Sequence, residues 1–236
     1  MLELHQFRHS AFCEKVRLVL ACKRLPFSTV EVTPGVGQLE LYRLSGQRQV
    51  PVLVDGSEVI ADSTAIALYL EQHHPEPALL PSDLAQRAQV LLLEDWADTA
   101  LASGARLALV QAAALDSQLR DGLLPEATPS GLRSLLGVIP GGVLSGVGQV
   151  LDASALQQLR QSLEQLTALV QAQPYLVGDQ LSLADLAVIA QLSLIKFPAS
   201  AGSPLAGRGL PGLADDPSLA PLWSWRDRID QQLALA

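Results

Sequence analysis

"LELHQFRHSAFCEKVRLVLACK", residues 2–23, is the stretch on which the fold turns. Leu2 to Phe7 reads as a short strand, and Phe12 to Lys23 as a helix apolar on more than one side, through Val16, Val19, Leu20 and Cys22. Ser10 stands at the end of the loop between them, with Cys13 one turn into the helix. A serine there is first of all a cap, its hydroxyl accepting from the orphan amides of the helix. The same place offers free amides and partial positive charge to an anion such as a thiolate, to which the hydroxyl can donate. Cys13 is either a redox thiol of depressed pKa or a small hydrophobe buried against the sheet. With serine at position 10, no internal disulfide can form there.

Working outward, Phe27 to Val32 is a second strand and Gln38 to Leu44 a less regular helical stretch. Val52 to Val54 and Glu58 to Ile60 form a hairpin about Asp55-Gly56, and Ser63 to His73 is a helix stopped at His74-Pro75. The order β-α-β-α-β-β-α is that of a thioredoxin-like domain, placed at residues 1–78, in which the first unit is a parallel crossover. Pro75, Pro77 and Pro81 stiffen a linker, after which no strand is predicted.

Residues 82–236 therefore read as an all-helical domain, which makes the fold class α/β plus all-α. A long amphipathic pattern runs from Ser82 to about Leu115, with Leu92, Trp96 and Leu101 among its apolar positions. Residues 116–153 form an insertion rich in Gly, Pro and Ser, either partly helical or a mobile lid. Helices resume at Ser154 to Ala172 and Leu183 to Phe197, the latter opened by a capping box of Ser182 and Asp185. The last helix turns Trp223, Ile229 and Leu233 inward.

Charge and composition exclude several classes. The net charge of −8 argues against a nucleic-acid footprint, which needs clustered Lys and Arg. The first 80 residues hold 7 basic and 9 acidic side chains, so a small anion would bind there, among Arg8, Lys15, Arg17, Arg43 and Arg48. No charged and apolar leader follows Met1, which implies the reducing cytoplasm. Cys13 and Cys22 are separated by roughly 13 Å of helical rise and cannot bridge. Ser134 to Leu151 is free of charge, yet five glycines and Pro140 argue against a membrane span. His5, His9, His73 and His74 lack metal-ligand spacing, so no metal is expected, and no phosphate loop or dinucleotide fingerprint is present.

Two further stretches carry candidate chemistry. In "RQVPVL", residues 48–53, Pro51 opens a strand and taken alone says little. In "ADSTAIALYL", residues 61–70, Asp62 and Ser63 enter a helix, where they either cap it or hold an ammonium and a carboxylate. A γ-glutamyl end offers both groups.

Taken in order, "SAFCEKVRLVLACKRLPF", "QVPVLVDG", "IADSTAIALYL" and "YLVGDQLSLADLAV" resemble the cytosolic glutathione transferase superfamily over nearly the whole chain. The resemblance is nearest to bacterial, cyanobacterial-type members of the serine type with a lengthened C-terminal domain. It implies a transferase that conjugates glutathione, its co-substrate, to an electrophilic apolar small molecule, with no covalently bound cofactor. Ser10 would stabilise the thiolate, the Val50-Pro51 backbone would pair with the cysteinyl part, and Asp62 and Ser63 would hold the γ-glutamyl end. Arg48 and Gln49 would reach the glycyl carboxylate, and Phe12, Trp96 and Leu101 would line the second-substrate pocket. A cytoplasmic homodimer, away from membranes and nucleic acid, is implied as well. Two other activities fit the resemblance: a thiol-disulfide reductase using Cys13, and a non-catalytic binding or interaction module. Departures are Ala11 where proline is common and Ser45-Gly46 in place of a frequent Asn-Pro.

Overall fold

The computed structural model describes residues 1–33, 36–123 and 149–234. Strands β1 (Leu2–Gln6), β2 (Phe27–Glu31), β3 (Val52–Asp55) and β4 (Glu58–Ala61) form one sheet of order β2-β1-β3-β4. β1 and β2 are parallel, while β3 runs antiparallel to β1 and to β4. Helix α1 (Ala11–Cys22) makes the parallel crossover, α2 (Val36–Ser45) follows β2, and α3 (Ser63–His73) follows β4. The thioredoxin-like order is therefore observed, with strand and helix ends one or two residues from those expected.

Local chemistry explains the ends. β1 turns Leu2, Leu4 and Gln6 inward, the period-2 alternation of a strand with one face on the core. Helix α1 closes in a Schellman arrangement, with Leu25 N–H donating to Leu20 O and Arg24 N–H to Ala21 O, each at 3.0 Å. Arg24 takes the left-handed conformation at φ 53° that glycine usually supplies there. β3 runs on through Asp55, so the two hairpin residues are Gly56 and Ser57, with Gly56 at φ 60°.

The chain divides into two compact units: Met1–Asp95 with Tyr175–Ala190 and Gln231–Ala236, and Trp96–Pro174 with Gln191–Asp230. In the first, α1 packs against α3, and Leu4, Val16, Leu20, Leu53, Ile66 and Leu70 are fully buried. Asp185 accepts from the amide and hydroxyl of Ser182 and from the amide of Leu176 at 2.7–2.8 Å, which fixes the start of the helix at Leu183. Burial pushes its carboxyl pKa up against these bonds.

From Leu84 the chain is continuously helical: α4 (Leu84–Trp96), a π-helical turn (Ala97–Leu101) and α5 (Ala102–Leu115). One buried stripe runs through all three segments, Val90, Glu94, Ala97, Leu101, Ala105, Ala108 and Ala112, each three or four residues from the last. Leu92, two residues from Val90 and so on the opposite side of α4, is 71% exposed, contrary to the apolar-face reading. Helix α5 buries Ala102, Ala105, Ala108 and Ala112, and small side chains permit its close packing on α7 (Gln149–Ala172).

Within the insertion, Asp116 caps the short helix α6 (Ser117–Leu123). Residues 124–148, with most of the charge-free stretch, lie outside the described residues. Helix α7 begins at Gln149, earlier than the Ser154 expected. Helix α8 (Leu183–Ile195) stops short of Phe197 because Lys196 enters an antiparallel bridge with Gly209. A β-carbon on Gly209 would lie 2.0 Å from Ile195 O, so only glycine fits. Helix α9 (Ala220–Ala234) buries Trp223, Ile229 and Leu233 as expected. Among the described residues, no helix is long and apolar enough to cross a membrane.

Candidate functional site

Ser10 is the N-cap of α1, in extended conformation (φ −79°, ψ 123°), with its Oγ accepting from Cys13 N–H at 3.4 Å. In that bond the half-buried hydroxyl only accepts, so its own proton is left for another acceptor. The turn before it is closed by Ser10 N–H donating to Phe7 O at 2.9 Å.

Strand register decides what lies beside this turn. His5 pairs with Val52, so one step further along the ladder Gln6 faces Pro51, and the Phe7–Ser10 turn leaves the sheet at that end. Val52 in turn pairs with Ala61, which puts Asp62 level with Pro51. Three segments far apart in sequence thus meet at one end of the sheet: the Ser10 turn, Val50-Pro51 and Asp62-Ser63. The Val50-Pro51 peptide is cis, and Pro51 is buried.

Asp62 caps α3, its Oδ1 accepting from Thr64 N–H at 2.9 Å and Ala65 N–H at 3.0 Å. It does so at φ 81°, a left-handed conformation that costs a non-glycine residue about 1–3 kcal/mol and tends to occur at functional sites. The side chain is exposed, whereas Ser63 is 2% exposed. Arg48 and Gln49 are both exposed, and the Arg48 guanidinium lies 5.5 Å from the centre of the Tyr42 ring.

Cys13 is fully buried, and burial pushes its thiol pKa up despite hydrogen bonds involving Phe7 and Ser10 and the charge of Arg17. A buried, neutral thiol is the small-hydrophobe alternative. Phe12 is half-buried in the first unit; Trp96, half-buried, and Leu101, 1% exposed, belong to the second. Among the described residues, no group of three or more His, Cys, Asp or Glu could hold a metal ion.

Sequence reasoning missed what stands behind these residues. Lys15 on α1 is wholly buried, its Nζ donating to Glu94 Oε1 at 2.6 Å and to Thr64 Oγ1 at 3.0 Å. Thr64 Oγ1 donates to the same Glu94 oxygen at 2.6 Å. The charged group thereby ties the helix that Ser10 caps to the helix that Asp62 caps. Lys15 was visible as a charge between Cys13 and Val16 on a buried helix, but its partner lies 79 residues away. At the other end of α1, Lys23 donates to Glu71 at 2.7 Å and to the carbonyls of His74 and Pro77 at 2.6 and 3.1 Å, anchoring the proline linker.

The structure thus presents a thioredoxin-like domain with a serine-capped first helix, a cis-proline segment and an acidic cap on α3, followed by a helical domain. Comparison with known proteins agrees. The glutathione S-transferase N-terminal domain family matches residues 4–78, and the C-terminal domain family residues 111–228. The chain belongs to the glutathione S-transferase family. FtsZ-localized protein A of Caulobacter vibrioides is 30% identical over 202 residues, 82% of this chain and 77% of that protein. Glutathione S-transferase Z1 of Arabidopsis thaliana is 39% identical over 90 residues, 37% of this chain, and the match spans only 41% of that relative's length. The solved structure of human glutathione-S-transferase T1-1 in its apo form superposes with a TM-score of 0.65 at 25% identity, covering 99% of this chain and 84% of that one.

Proposed function

We propose that the protein activates glutathione as a thiolate and conjugates it to an electrophilic, apolar small molecule. The observation that carries this reading is the meeting of Ser10, Val50-Pro51 and Asp62-Ser63 at one end of the sheet. Ser10 Oγ–H donates to the glutathione sulfur, and the first amides of α1 add partial positive charge, which favours the thiolate over the thiol. The thiol proton passes to solvent, a sulfur–carbon bond forms, and the leaving group departs with the electrons of its bond to carbon. The backbone of Val50 pairs with the cysteinyl part, Asp62 takes the ammonium, Ser63 the γ-glutamyl carboxylate, and Arg48 with Gln49 the glycyl carboxylate. A homodimer, tested by sedimentation, follows from the family resemblance.

The test is Ser10→Ala assayed with a chlorinated aromatic substrate. Conjugation should fall on the order of 10²-fold, the loss typical of removing one donor to a developing anion. Unchanged turnover removes Ser10 from the chemistry.

The name of the FtsZ-localized relative supports a second reading, a non-catalytic interaction module on the same fold. Calorimetry separates the two: absence of glutathione binding at millimolar ligand favours the module. Disulfide exchange through Cys13 has less support, since it needs an accessible thiolate and this thiol is buried.

A further inference from the structure

The turn that carries Ser10 is held from outside in a way that the capping of α1 does not require. Its central residue, Arg8, has both backbone groups taken by charged side chains from other elements. Arg8 N–H donates to Glu31 Oε1 on β2 at 2.7 Å, and Arg8 O accepts from Arg17 Nη2 on α1 at 2.9 Å. Arg17 Nη1 also donates to Gln6 Oε1 on β1, and Gln6 Nε2 donates to Glu31 Oε2 at 3.3 Å. The contacts close a ring: Arg17, Gln6, Glu31, the Arg8 backbone and back to Arg17. Glu14, one turn before Arg17, accepts from Arg17 Nε at 2.9 Å and so aims the guanidinium towards the turn.

We propose that Arg17, Gln6 and Glu31 are positioning residues, a clamp that sets where the Ser10 hydroxyl stands relative to the thiol of bound glutathione. The proposal rests on the transferase reading above. Backbone groups of a surface turn ordinarily go to water, and a turn solvated in that way wanders. A donor that must stay within hydrogen-bond reach of a sulfur tolerates displacements of only about 0.5 Å, which calls for support from surrounding side chains. The Ser10 hydroxyl cannot supply that support, because its own bond to Cys13 N–H is 3.4 Å long.

A field effect is the competing account, and it differs in sign. Arg17 is positive and Glu31 negative. If the charges acted only through space, losing Arg17 would raise the pKa of the bound thiol and losing Glu31 would lower it. A clamp loses its grip either way, so both changes raise it.

The experiment uses the full chain and glutathione itself, reading thiolate absorbance against pH together with kcat and KM for wild type, Ser10→Ala, Arg17→Lys and Glu31→Leu. Arg17→Lys keeps the charge and loses the guanidinium fork. Both clamp variants should raise the pKa of the bound thiol and lower kcat by about 10- to 100-fold, the cost of a small misplacement. Their KM for glutathione should stay within about threefold of wild type, because the other contacts lie on different segments. A lowered thiol pKa in Glu31→Leu overturns the clamp, and so does wild-type kcat in either variant. Glu31 is exposed on an edge strand, so its variant carries the test even if Arg17→Lys proves too unstable to purify. If wild type with glutathione bound shows no thiolate, the transferase reading and the clamp fall together. A loss confined to Ser10→Ala overturns the clamp alone.

Discussion

Replacing Glu94 by Leu should destabilise this protein far more than removing an ordinary surface carboxylate. The Lys15 side chain is 0% exposed and that of Glu94 4%, so the substitution strands a buried ammonium without its carboxylate. Breaking a buried pair from one side costs about 3–5 kcal/mol, because the remaining charge stays out of water without its partner. At about 2–4 °C per kcal/mol for a chain of this size, the melting temperature should fall by about 6–20 °C. Lys15→Met should cost a similar amount, since it leaves the Glu94 carboxylate buried with Thr64 as its remaining hydrogen-bond donor here. The double variant, Lys15→Met with Glu94→Leu, removes both charges and should recover most of the loss, since apolar replacements of a buried pair are often neutral. Thermal and urea unfolding of the four proteins, followed by circular dichroism, gives the double-mutant cycle. Single losses under about 1 kcal/mol, or simple additivity in the double variant, would refute the claim that one buried ion pair joins α1, α3 and α4.

Other measurements test separate features. Asp62→Asn keeps a good capping side chain, so stability should hardly change, while KM for glutathione rises by about tenfold or more through loss of a charge-assisted bond. Equal KM values would detach Asp62 from the substrate ammonium. Bonding to Arg160 and Ser218 holds the Asp216 carboxyl at about 2, below its ordinary 3.8. A depressed carboxyl contributes stability present above its unfolded pKa and lost as pH falls through the folded one, so wild type and Arg160→Met should converge in stability between about pH 4 and 2. A gap that persists at pH 2 contradicts this. Cys22 is half-buried and should react slowly with a thiol reagent in the native protein, while the raised and buried Cys13 reacts only on unfolding. Two thiols titrating natively would reopen the disulfide-exchange activity.

The thioredoxin-like order was legible because each of its signals is local. The alternation in Leu2 to Gln6, the serine before Ala11, the glycine at 56 that marks the hairpin, though its turn is Gly56-Ser57 and not Asp55-Gly56, and the stop at His74-Pro75 each act within a few residues. The inward face of α9 was legible for the same reason. Leu92 was misplaced because the buried face of α4 runs through Val90, Glu94 and Ala97, the opposite side of the helix, and one of its members is a charged residue that an apolar pattern passes over. The partners of Lys15 and Lys23, and those of Arg17 beyond its helix neighbour Glu14, were not legible at all. A charged side chain on a helix is compatible with solvent until the fold brings a carboxylate or a carbonyl to it.

By itself, then, the sequence determined which residue types stand at the helix starts, and so the chemistry available: a hydroxyl at Ser10, a carboxylate at Asp62, a proline at the head of β3. Capping and turn formation are decided within four residues, so no tertiary contact is needed to read them. Only the tertiary structure decided that these three segments share one end of a sheet, that the Val50-Pro51 peptide is cis, and that Cys13 is sealed in the core. Strand register and burial arise from the packing of segments tens of residues apart, a sum over the whole fold that no local pattern contains.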